Sequence, residues 1–298
     1  MSKIRTPAIE RYARRNKREK KNTNGAEAWR RFTRNRTSFI GLGILLVMMV
    51  FVIGANWIAP YEYQAMGALP FQTSSAEHLF GTDNYGRDLF SRCVYGARYT
   101  LFISVLCVVA ACFSGGLLGV IAGYFGGKTD ELIMRFMDIL QAIPAVLLAI
   151  CITSALGNGI PQLVIAIMIS SMPVLSRNFR AAILNVKNAE YVESSRAIGV
   201  SEGRMIIKHM LPNSVGVRVI YIVGTMSASI NVIASLSYMG CGLLPPTPEW
   251  GLLLSEGKTF FTMYPHLVLF PALMILLTVL SLNMLGDGLR DALDPRLK

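Results

Sequence analysis

The chain has 298 residues, of which 53% are hydrophobic and only 16% are charged, and its mean hydropathy is +0.46. A soluble protein of this size would expose much of that apolar surface to water, so the composition excludes an ordinary soluble domain and indicates a membrane protein. The formal net charge of +11 comes almost entirely from the N-terminus, because residues 1–36 contain 13 Lys and Arg but only three Glu.

The basic N-terminal tail, residues 1–36, directly precedes the first apolar stretch. A basic tail can bind nucleic acid. A tail that borders a span more commonly orients the chain and contacts anionic lipid, which is our interpretation here. No small-residue cleavage site cleanly follows the apolar stretch, so we interpret that stretch as an uncleaved anchor and not as a signal peptide.

Charge-free apolar stretches predict the membrane-spanning helices, each of which needs about 20 residues. Residues 139–176 form one stretch that is too long for a single helix, and the Gly- and Pro-containing segment 157–161 divides it. The sequence therefore predicts an all-α integral membrane protein with six transmembrane helices. These lie near residues 37–61, 99–127, 132–155, 160–176, 217–240 and 264–286.

The distribution of Lys and Arg predicts how these spans are oriented. Six spans place both termini on one side, and if that side is cytoplasmic the inner segments carry 25 of the 29 Lys and Arg residues. We expect this orientation because cytoplasmic segments are enriched in Lys and Arg. Residues 62–98 then form an extracytoplasmic loop, 177–218 form a cytoplasmic loop within the core 99–286, and 287–298 form a cytoplasmic C-terminus.

Glycines recur every four residues down the second predicted span, at Gly115, Gly119, Gly123 and Gly127. Such a ridge of small residues lets another helix backbone approach closely, so we expect neighbouring helices to cover it. Asn231, a polar residue inside the fifth predicted span, needs the same kind of cover. We therefore expect the chain alone, without a partner, to be unstable.

Arg135 and Asp138 lie three residues apart at the start of the third predicted span. Charges at this spacing share one face of a helix, so we expect the two to pair and to reach the membrane interface. A role in gating is the alternative.

The five cysteines do not have the spacing of a metal site, and the sequence predicts none. Three of them lie inside apolar spans, where Cys packs as a small apolar side chain. Cys93 and Cys241 both fall in segments predicted to lie outside the membrane, so a disulfide between them stays open.

The inner loop, residues 177–218, is the most strongly patterned segment outside the spans. Apolar and small residues recur at helical spacing on both sides of Gly199, and Leu211 and Pro212 close the segment before the next span. This pattern predicts a helix, a glycine turn, a second helix and a proline break. Such a rigid projection suits docking of another protein. The loop shows no cluster of acid, base and nucleophile that would suit catalysis.

The same loop resembles the EAA loop of ABC-importer permeases, in which Glu-Ala-Ala is followed at fixed spacing by Gly and then by Leu-Pro. Serines replace both alanines, which keeps the helix surface small, and His209 stands where that pattern has Ile. The positions that the resemblance assigns to the coupling loop are Glu193, Ser194, Ser195, Gly199, Leu211 and Pro212.

Three further segments resemble the dipeptide/oligopeptide/nickel branch of these permeases, in the order of that family. Residues 80–92 resemble its Leu-Gly-Thr-Asp-x-x-Gly-Arg-Asp segment, 242–251 its Pro-Pro-Thr-Pro-x-Trp-Gly segment, and 285–296 its C-terminal ending. The likeness runs from about residue 37 to 298, and the chain resembles the C-type subunit. Only the basic tail is unmatched, so we expect the tail to be dispensable for transport.

This resemblance implies a type I ABC-importer permease fold and a role in import, with no enzyme activity in the chain itself. It implies a homologous B-type permease subunit, two cytoplasmic ATPases that dock on the two EAA loops, and an extracytoplasmic solute-binding protein. ATP would be bound by the partner subunits, so no cofactor is expected here. The implied solutes are di- or oligopeptides, with nickel complexes, glutathione or another small solute as alternatives.

The resemblance also suggests roles for particular residues. Glu193 is the expected polar anchor for an ATPase, and Gly199 forms the expected turn. For the outer segments, contact with the binding protein or the partner subunit is one interpretation, and an ordered turn with its own ion pair or a stiff loop is the other. The candidate outer contacts are Asp83, Arg87, Asp88, Pro246 and Trp250.

Two other classes of protein fit the sequence less well. A secondary transporter would show internal repeats and ionisable residues deep in its spans, which this chain lacks apart from Asp138 near a span edge. A membrane-embedded enzyme would need a cluster of reactive side chains, whereas the three histidines fall in three different segments.

Overall fold

The computed structural model describes Arg30, residues 32–33 and residues 35–293. Within these residues the fold is all-helical, with no strand beyond a single bridge between Thr82 and Asp88. Most of the basic tail lies outside the described residues. The helices in chain order are α1 (Arg36–Ile58), α2 (Leu89–Ala111), α3 (Leu117–Phe125), α4 (Gly127–Gln141), α5 (Ala145–Leu156), α6 (Ile160–Lys187), α7 (Glu190–Ala197), α8 (Glu202–Arg204), α9 (Leu211–Asn213), α10 (Val215–Tyr238), α11 (Trp250–Gly257) and α12 (His266–Leu293).

Short turns of other helix types join several of these helices. The π-helical turn Cys112–Gly116 joins α2 to α3, a second one at Met205–Met210 joins α8 to α9, and the 3-10 turn Lys258–Phe260 follows α11. The first π-helical turn continues the helix, so α2 and α3 form one membrane-length path, Leu89–Phe125.

Five helical segments are long and apolar enough to cross a membrane, namely α1, the α2–α3 path, α6, α10 and α12. The pair of α4 and α5 is bent by 81° and provides a sixth span if the pair counts as one. The bend coincides with Pro144, because proline has no N–H to donate and disfavours helical geometry in the residue before it. The third predicted span, near 132–155, is therefore not one straight helix, and its first half begins earlier, at Gly127.

Two helices extend beyond the charge-free stretches that predicted them. α2 begins at Leu89, because the Asp88 carboxylate caps it by accepting a hydrogen bond from the Ser91 N–H over 2.7 Å. α6 continues to Lys187, past its predicted end at residue 176, and contains Pro173. The first turns of α2 thus belong to the predicted outer loop, and the last turns of α6 belong to the predicted inner loop.

α3 packs directly on α6 along the predicted glycine ridge. A Cβ atom at Gly115 would lie 2.7 Å from the Met172 carbonyl oxygen, and one at Gly123 would lie 2.9 Å from the Arg180 carbonyl oxygen. Gly127 lies outside the ridge, since a Cβ there would meet nothing within 4 Å. The predicted close approach is confirmed, but the covering helix belongs to the same chain, so the ridge does not argue that the chain alone is unstable.

The bundle has two ends that differ in structure. The connections 59–88 and 239–265 lie at one end, which we call the ionic end, and the connection 188–214 lies at the other, which we call the hairpin end. Between them, buried side chains from α2, α10, α11 and α12 form one apolar cluster that includes Trp250 and Ile230. This core holds the spans in fixed relation to both ends.

The two ends of the described chain meet at the hairpin end. The Asn35 side-chain amide donates a hydrogen bond to the Asp291 carboxylate over 3.1 Å, and Phe32 packs in a cluster with Leu285. An even number of spans has this consequence, since it returns the chain to the side where it started.

Candidate functional site

The hairpin that gives the hairpin end its name is built around Gly199. Gly199 has a φ of +78°, which glycine adopts at little cost. Its N–H donates to the Arg196 carbonyl over 3.0 Å, and the Val200 N–H donates to the Ser195 carbonyl over 3.2 Å. These two bonds form a Schellman motif, which satisfies the last carbonyls of α7. The predicted order of helix, glycine turn and helix is confirmed.

One face of the hairpin is held by the bundle. Val192, Met205 and Met210 are buried in a cluster with Tyr124 of α3 and Ile183 of α6. Each buried apolar side chain of this size contributes on the order of 2 kcal/mol. The hairpin is therefore a packed part of the fold and not a freely moving loop.

The other face of the hairpin is exposed. The Glu193 side chain lies on it, and the Ile198 and Ile207 side chains keep 81% and 66% of their surface accessible. Glu193 lies in the first turn of α7, where a carboxylate is favoured by the helix dipole. Exposed apolar side chains beside a charged one at the tip of a rigid projection are typical of a surface that binds another protein.

The remaining EAA-loop positions shape the hairpin without forming its tip. The Ser194 hydroxyl donates to the Glu190 carbonyl over 2.8 Å, and the Ser195 hydroxyl donates to the Tyr191 carbonyl over 2.7 Å. Both serine hydroxyls are therefore hydrogen-bonded within α7 itself. Leu211 and Pro212 open α9, the last turn before α10.

Arg218, which the sequence analysis did not single out, ties the base of the hairpin to two spans. It lies in the first turns of α10, its guanidinium donates to the Leu211 carbonyl, and its Cζ lies 5.7 Å from the centre of the Phe179 ring in α6. Arg218 therefore connects the base of the hairpin to both α6 and α10. A single basic residue at the edge of a span gave no signal for this role.

Two ion pairs fasten α4 along α6. The Arg180 guanidinium binds Asp130 through two hydrogen bonds of 2.6 and 2.5 Å, and Arg177 donates to Asp138 over 2.7 Å. The expected pairing of Arg135 with Asp138 is therefore wrong. The actual partner comes from a different helix, which a sequence of one chain does not indicate.

At the ionic end, four charged side chains form a buried cluster. Asp83 Oδ2 accepts hydrogen bonds from Arg87 Nε over 2.6 Å and from Arg92 Nη1 over 2.7 Å. The same Arg92 nitrogen donates to Glu256 Oε2 over 2.7 Å. The Asp83, Arg87 and Arg92 side chains are almost fully buried, so their mutual pairing offsets a large desolvation cost. Because Glu256 lies in α11, the cluster fixes the connection 59–88 to the bundle.

A second pair in the same loop involves His78. Its Nδ1 lies 2.9 Å from Asp88 Oδ1, and both side chains are buried. The other oxygen of Asp88 caps α2, so this carboxylate connects the loop to the helix that follows it.

Trp250 and Glu249 anchor α11 in the interior. The Trp250 indole N–H donates to the Cys93 carbonyl over 2.8 Å, and the ring is fully buried. The Glu249 carboxylate caps α11 by accepting hydrogen bonds from the Gly251 N–H over 2.8 Å and the Leu252 N–H over 2.9 Å. Burial raises the pKa of Glu249 above the ordinary glutamate value, although the hydrogen bonds from Gly251 and other donors lower it in part.

The predicted outer contacts thus fall into two groups. Asp83, Arg87, Asp88 and Trp250 are buried, and their side chains hold the ionic end together. Pro246 is exposed. Contact with a partner protein at this end stays a prediction, and in this conformation Pro246 offers the accessible surface for it.

Cys93 and Cys241 are not joined in the structure. All five cysteines are free, and Cys93 is buried beneath Trp250. In the part of the chain that the structure describes, no group of three or more His, Cys, Asp and Glu side chains is arranged to hold a metal ion.

Comparison with known families identifies this arrangement. The family described as "Binding-protein-dependent transport system inner membrane component" matches residues 115–298, which include the hairpin and the connection 239–265 of the ionic end. The chain belongs to this family of transport permeases. A further family, "N-terminal TM domain of oligopeptide transport permease C", matches residues 23–77, so the resemblance to a C-type permease subunit is confirmed. The permease is accordingly a multi-span inner-membrane protein.

Curated relatives agree with this assignment. The permease is 42% identical over 278 residues to the glutathione transport system permease protein GsiD of Escherichia coli O157:H7, with 91% of this chain and 90% of that protein covered. It is 41% identical over 278 residues to the protein of the same name from Shigella dysenteriae serotype 1 (strain Sd197), with the same coverage.

Two solved structures share its fold. A MetNI methionine ABC transporter in an inward-facing conformation matches with a TM-score of 0.57 at 16% identity, covering 68% of this chain and 97% of that one. An amino acid ABC transporter crystallised with histidines matches with a TM-score of 0.53 at 13% identity, covering 66% and 92%. The predicted type I ABC-importer permease fold is confirmed.

Proposed function

We propose that this permease subunit forms half of the translocation pathway of a peptide importer and that its hairpin end docks on a cytoplasmic ATPase. The single observation that carries the docking is the exposed face of the hairpin, where Glu193 of α7 and Ile198 beside the Gly199 turn are both exposed. The peptide solute is supported by the match to oligopeptide permeases and by relatives named for glutathione, itself a tripeptide.

The orientation belongs to the same proposal. Lys and Arg are concentrated in the segments of the hairpin end and in the tail that leads to it, and this bias supports a cytoplasmic location for this end and for both termini. The ionic end is then extracytoplasmic, where a solute-binding protein delivers its ligand.

Coupling follows from the contacts at the base of the hairpin. ATP binds and is hydrolysed in partner ATPases, and this chain uses no cofactor of its own. An ATPase that moves the hairpin also moves the Arg218 guanidinium, because the latter is bonded to the Leu211 carbonyl. Through Arg218 and its contact with Phe179, the movement reaches α6 and α10. A two-helix connection of this kind changes access to a pathway between spans without any chemistry in the permease.

The partners in this proposal are a homologous B-type permease, two ATPases and an extracytoplasmic binding protein. The binding protein would approach the ionic end near the exposed Pro246. Glutathione is the second candidate solute, favoured by the names of the relatives, and nickel complexes or another small solute are further alternatives.

The experiment compares three variants of the hairpin in the assembled importer. Gly199→Val forces a β-branched residue into a φ of +78°, which costs about 1–3 kcal/mol locally. Glu193→Ala removes the exposed carboxylate. Gly203→Ala is the matched control, because a Cβ at Gly203 meets nothing within 4 Å and its φ is ordinary. The readouts are the amount of permease in the membrane, co-purification of the ATPase, and uptake of labelled trialanine and glutathione.

We expect the first two variants to reach the membrane normally and to lose ATPase co-purification and uptake, while Gly203→Ala behaves as wild type. Normal ATPase association in both variants would contradict docking at the hairpin. If the wild-type importer takes up neither trialanine nor glutathione, the peptide assignment is contradicted. The docking result is unaffected by that outcome.

A further inference from the structure

One face of α10, a membrane-spanning helix, is not covered by any other described helix of the chain. Its small and polar residues recur at intervals of four, three, four and three positions, which places them on a single helix face. Four of the five are exposed, and Ser235 is half-buried. The face consists of Gly224, Ala228, Asn231, Ser235 and Tyr238.

The polar groups on this face are incompletely satisfied. The Asn231 side-chain N–H donates to the Ser227 carbonyl over 3.3 Å, and among the described residues its Oδ1 has no hydrogen-bond partner. The Tyr238 hydroxyl has no partner in the described chain either. A free amide oxygen is strongly disfavoured in lipid, so we do not expect this face to contact lipid.

Three residues of this face, Asn231, Ser235 and Tyr238, line one wall of an open groove of about 390 Å³. The opposite wall is apolar and comes from α12, with Ile275, Leu276 and Val279. A volume of this size is within the range of small-ligand sites. The lining residues carry no charge, so the groove combines one wall of hydrogen-bonding groups with one wall for apolar contact.

The groove opens at the ionic end of the bundle. There the Lys258 ammonium donates to the Tyr238 carbonyl over 3.1 Å and lies 4.9 Å from the centre of the Tyr238 ring. An exposed ammonium group at this position marks contact with water. Asn231 lies seven residues before Tyr238, which is roughly 10 Å deeper along the helix.

We propose that this groove is a segment of the solute pathway, in which the Asn231 side-chain amide hydrogen-bonds the backbone amides of a peptide in transit. This inference rests on the proposed import of peptides. A carboxamide has both a donor and an acceptor, so it matches a peptide group, while the uncharged lining tolerates different side chains. A weak, single-residue contact also suits a pathway, because a solute in transit must leave again.

A helix of a partner subunit is the competing occupant of this face. The packed ridge of Gly115, Gly119 and Gly123 shows how this chain covers a small-residue face, since backbone atoms of α6 lie against it and no polar side chain interrupts it. The α10 face differs because Asn231 and Tyr238 interrupt it with free polar groups. That difference favours a solvated pathway over a helix contact.

The test measures water access to α10 in the assembled importer. In a background with the five native cysteines replaced by alanine, Asn231→Cys and Ser235→Cys are treated with a charged, membrane-impermeant thiol reagent. Val232→Cys is the matched control, because it neighbours Asn231 but packs into the interior. We expect labelling of the first two, at least tenfold slower labelling of Val232→Cys, and protection of the labelled positions by trialanine or glutathione delivered with the binding protein.

The outcomes separate the groove from the proposed function. Peptide uptake by the cysteine-free importer tests the proposed function and does not depend on labelling. If uptake is normal but neither position is labelled, the pathway assignment is wrong and a partner helix covers the face. Labelling that the transported solute leaves unchanged also overturns it.

A second pair of variants tests the amide itself. Asn231→Leu keeps the approximate size and removes the hydrogen-bonding groups, so we expect peptide uptake at saturating binding protein to fall roughly tenfold. Asn231→Gln keeps the carboxamide and should retain most of the uptake. Equal uptake by both variants, at equal amounts of assembled complex, would show that the amide does not contact the solute.

Discussion

The two ends of the bundle are held together by different physical means. At the ionic end, Asp83, Arg87 and Arg92 are buried and paired with one another. At the hairpin end, apolar packing holds one face while Glu193 and Ile198 remain exposed on the other. The ionic end therefore pairs its buried charges within the chain, although Arg92 Nε and Nη2 have no hydrogen-bond partner among the described residues. The hairpin end instead leaves one face exposed.

This difference separates residues by their roles. Patterned charged residues are buried and paired at the ionic end, whereas Glu193 at the hairpin end is exposed, as our docking proposal requires. A substitution at the ionic end should therefore act on stability, and one at the hairpin tip should act on assembly. The following changes test that division, starting with the largest expected effect.

Asp83→Asn should destabilise the ionic end most. It removes the carboxylate that accepts from both Arg87 and Arg92, and leaves two guanidinium groups buried with only Glu256 as an acidic partner in the cluster. Breaking a buried pair costs about 3–5 kcal/mol. The measurement is the free energy of unfolding of the purified importer in a detergent titration. A loss below about 1 kcal/mol would show that the cluster is not a structural clamp.

Gly119→Ala should have the next largest effect. A Cβ at Gly119 would clash with the Ser176 carbonyl oxygen, because α3 and α6 touch at this position. Overpacking of this kind costs about 1–3 kcal/mol. Gly43→Ala in α1 is the control, since a Cβ there meets nothing within 4 Å. If the two alanine variants unfold at the same temperature, the close contact between α3 and α6 is contradicted.

Glu249→Gln should change how stability depends on pH. Burial raises the pKa of Glu249, so the protonated form is favoured in the folded state. The contribution of protonated Glu249 to the stability of the folded state is fully present below the ordinary glutamate pKa. It is lost as pH rises through the raised pKa. The unfolding temperature of the wild type should therefore fall more than that of Glu249→Gln across this window. Parallel pH profiles would mean that Glu249 does not titrate differently on folding.

Asp138→Asn should have the smallest effect on stability. Asp138 pairs with Arg177, but both side chains are substantially exposed, and exposed pairs contribute at most about 1 kcal/mol. The same detergent titration used for Asp83→Asn gives a direct comparison of a buried and an exposed aspartate. A loss as large as that of Asp83→Asn would remove the contrast between charges inside the ionic end and charges on the surface.

Local signals in the sequence were enough to predict the all-helical fold, the close approach at Gly115 and Gly123, and the turn at Gly199. These features depend on residue type and on spacing along the chain. The bend between α4 and α5 was missed because a charge-free stretch shows that a segment is apolar but not whether its helix axis is straight. Pro144 was a usable signal for the bend.

Tertiary partners were not predictable in the same way. Arg177 is the partner of Asp138, and Glu256 is a partner of Arg92, across long separations in sequence. The position of a charge predicts that it needs a partner, but only packing determines which one. The role of Arg218 was missed for the same reason.

The central claim is that the hairpin end is the surface that meets the ATPase. Ile198→Cys and Met263→Cys test it directly, because both side chains keep 81% of their surface accessible but lie at opposite ends of the bundle. A thiol cross-linker is applied to the assembled importer in a cysteine-free background. The account predicts a cross-link between the ATPase and Ile198→Cys, and none between the ATPase and Met263→Cys. An intact complex in which Ile198→Cys gives no ATPase cross-link, or in which Met263→Cys gives one, would contradict it.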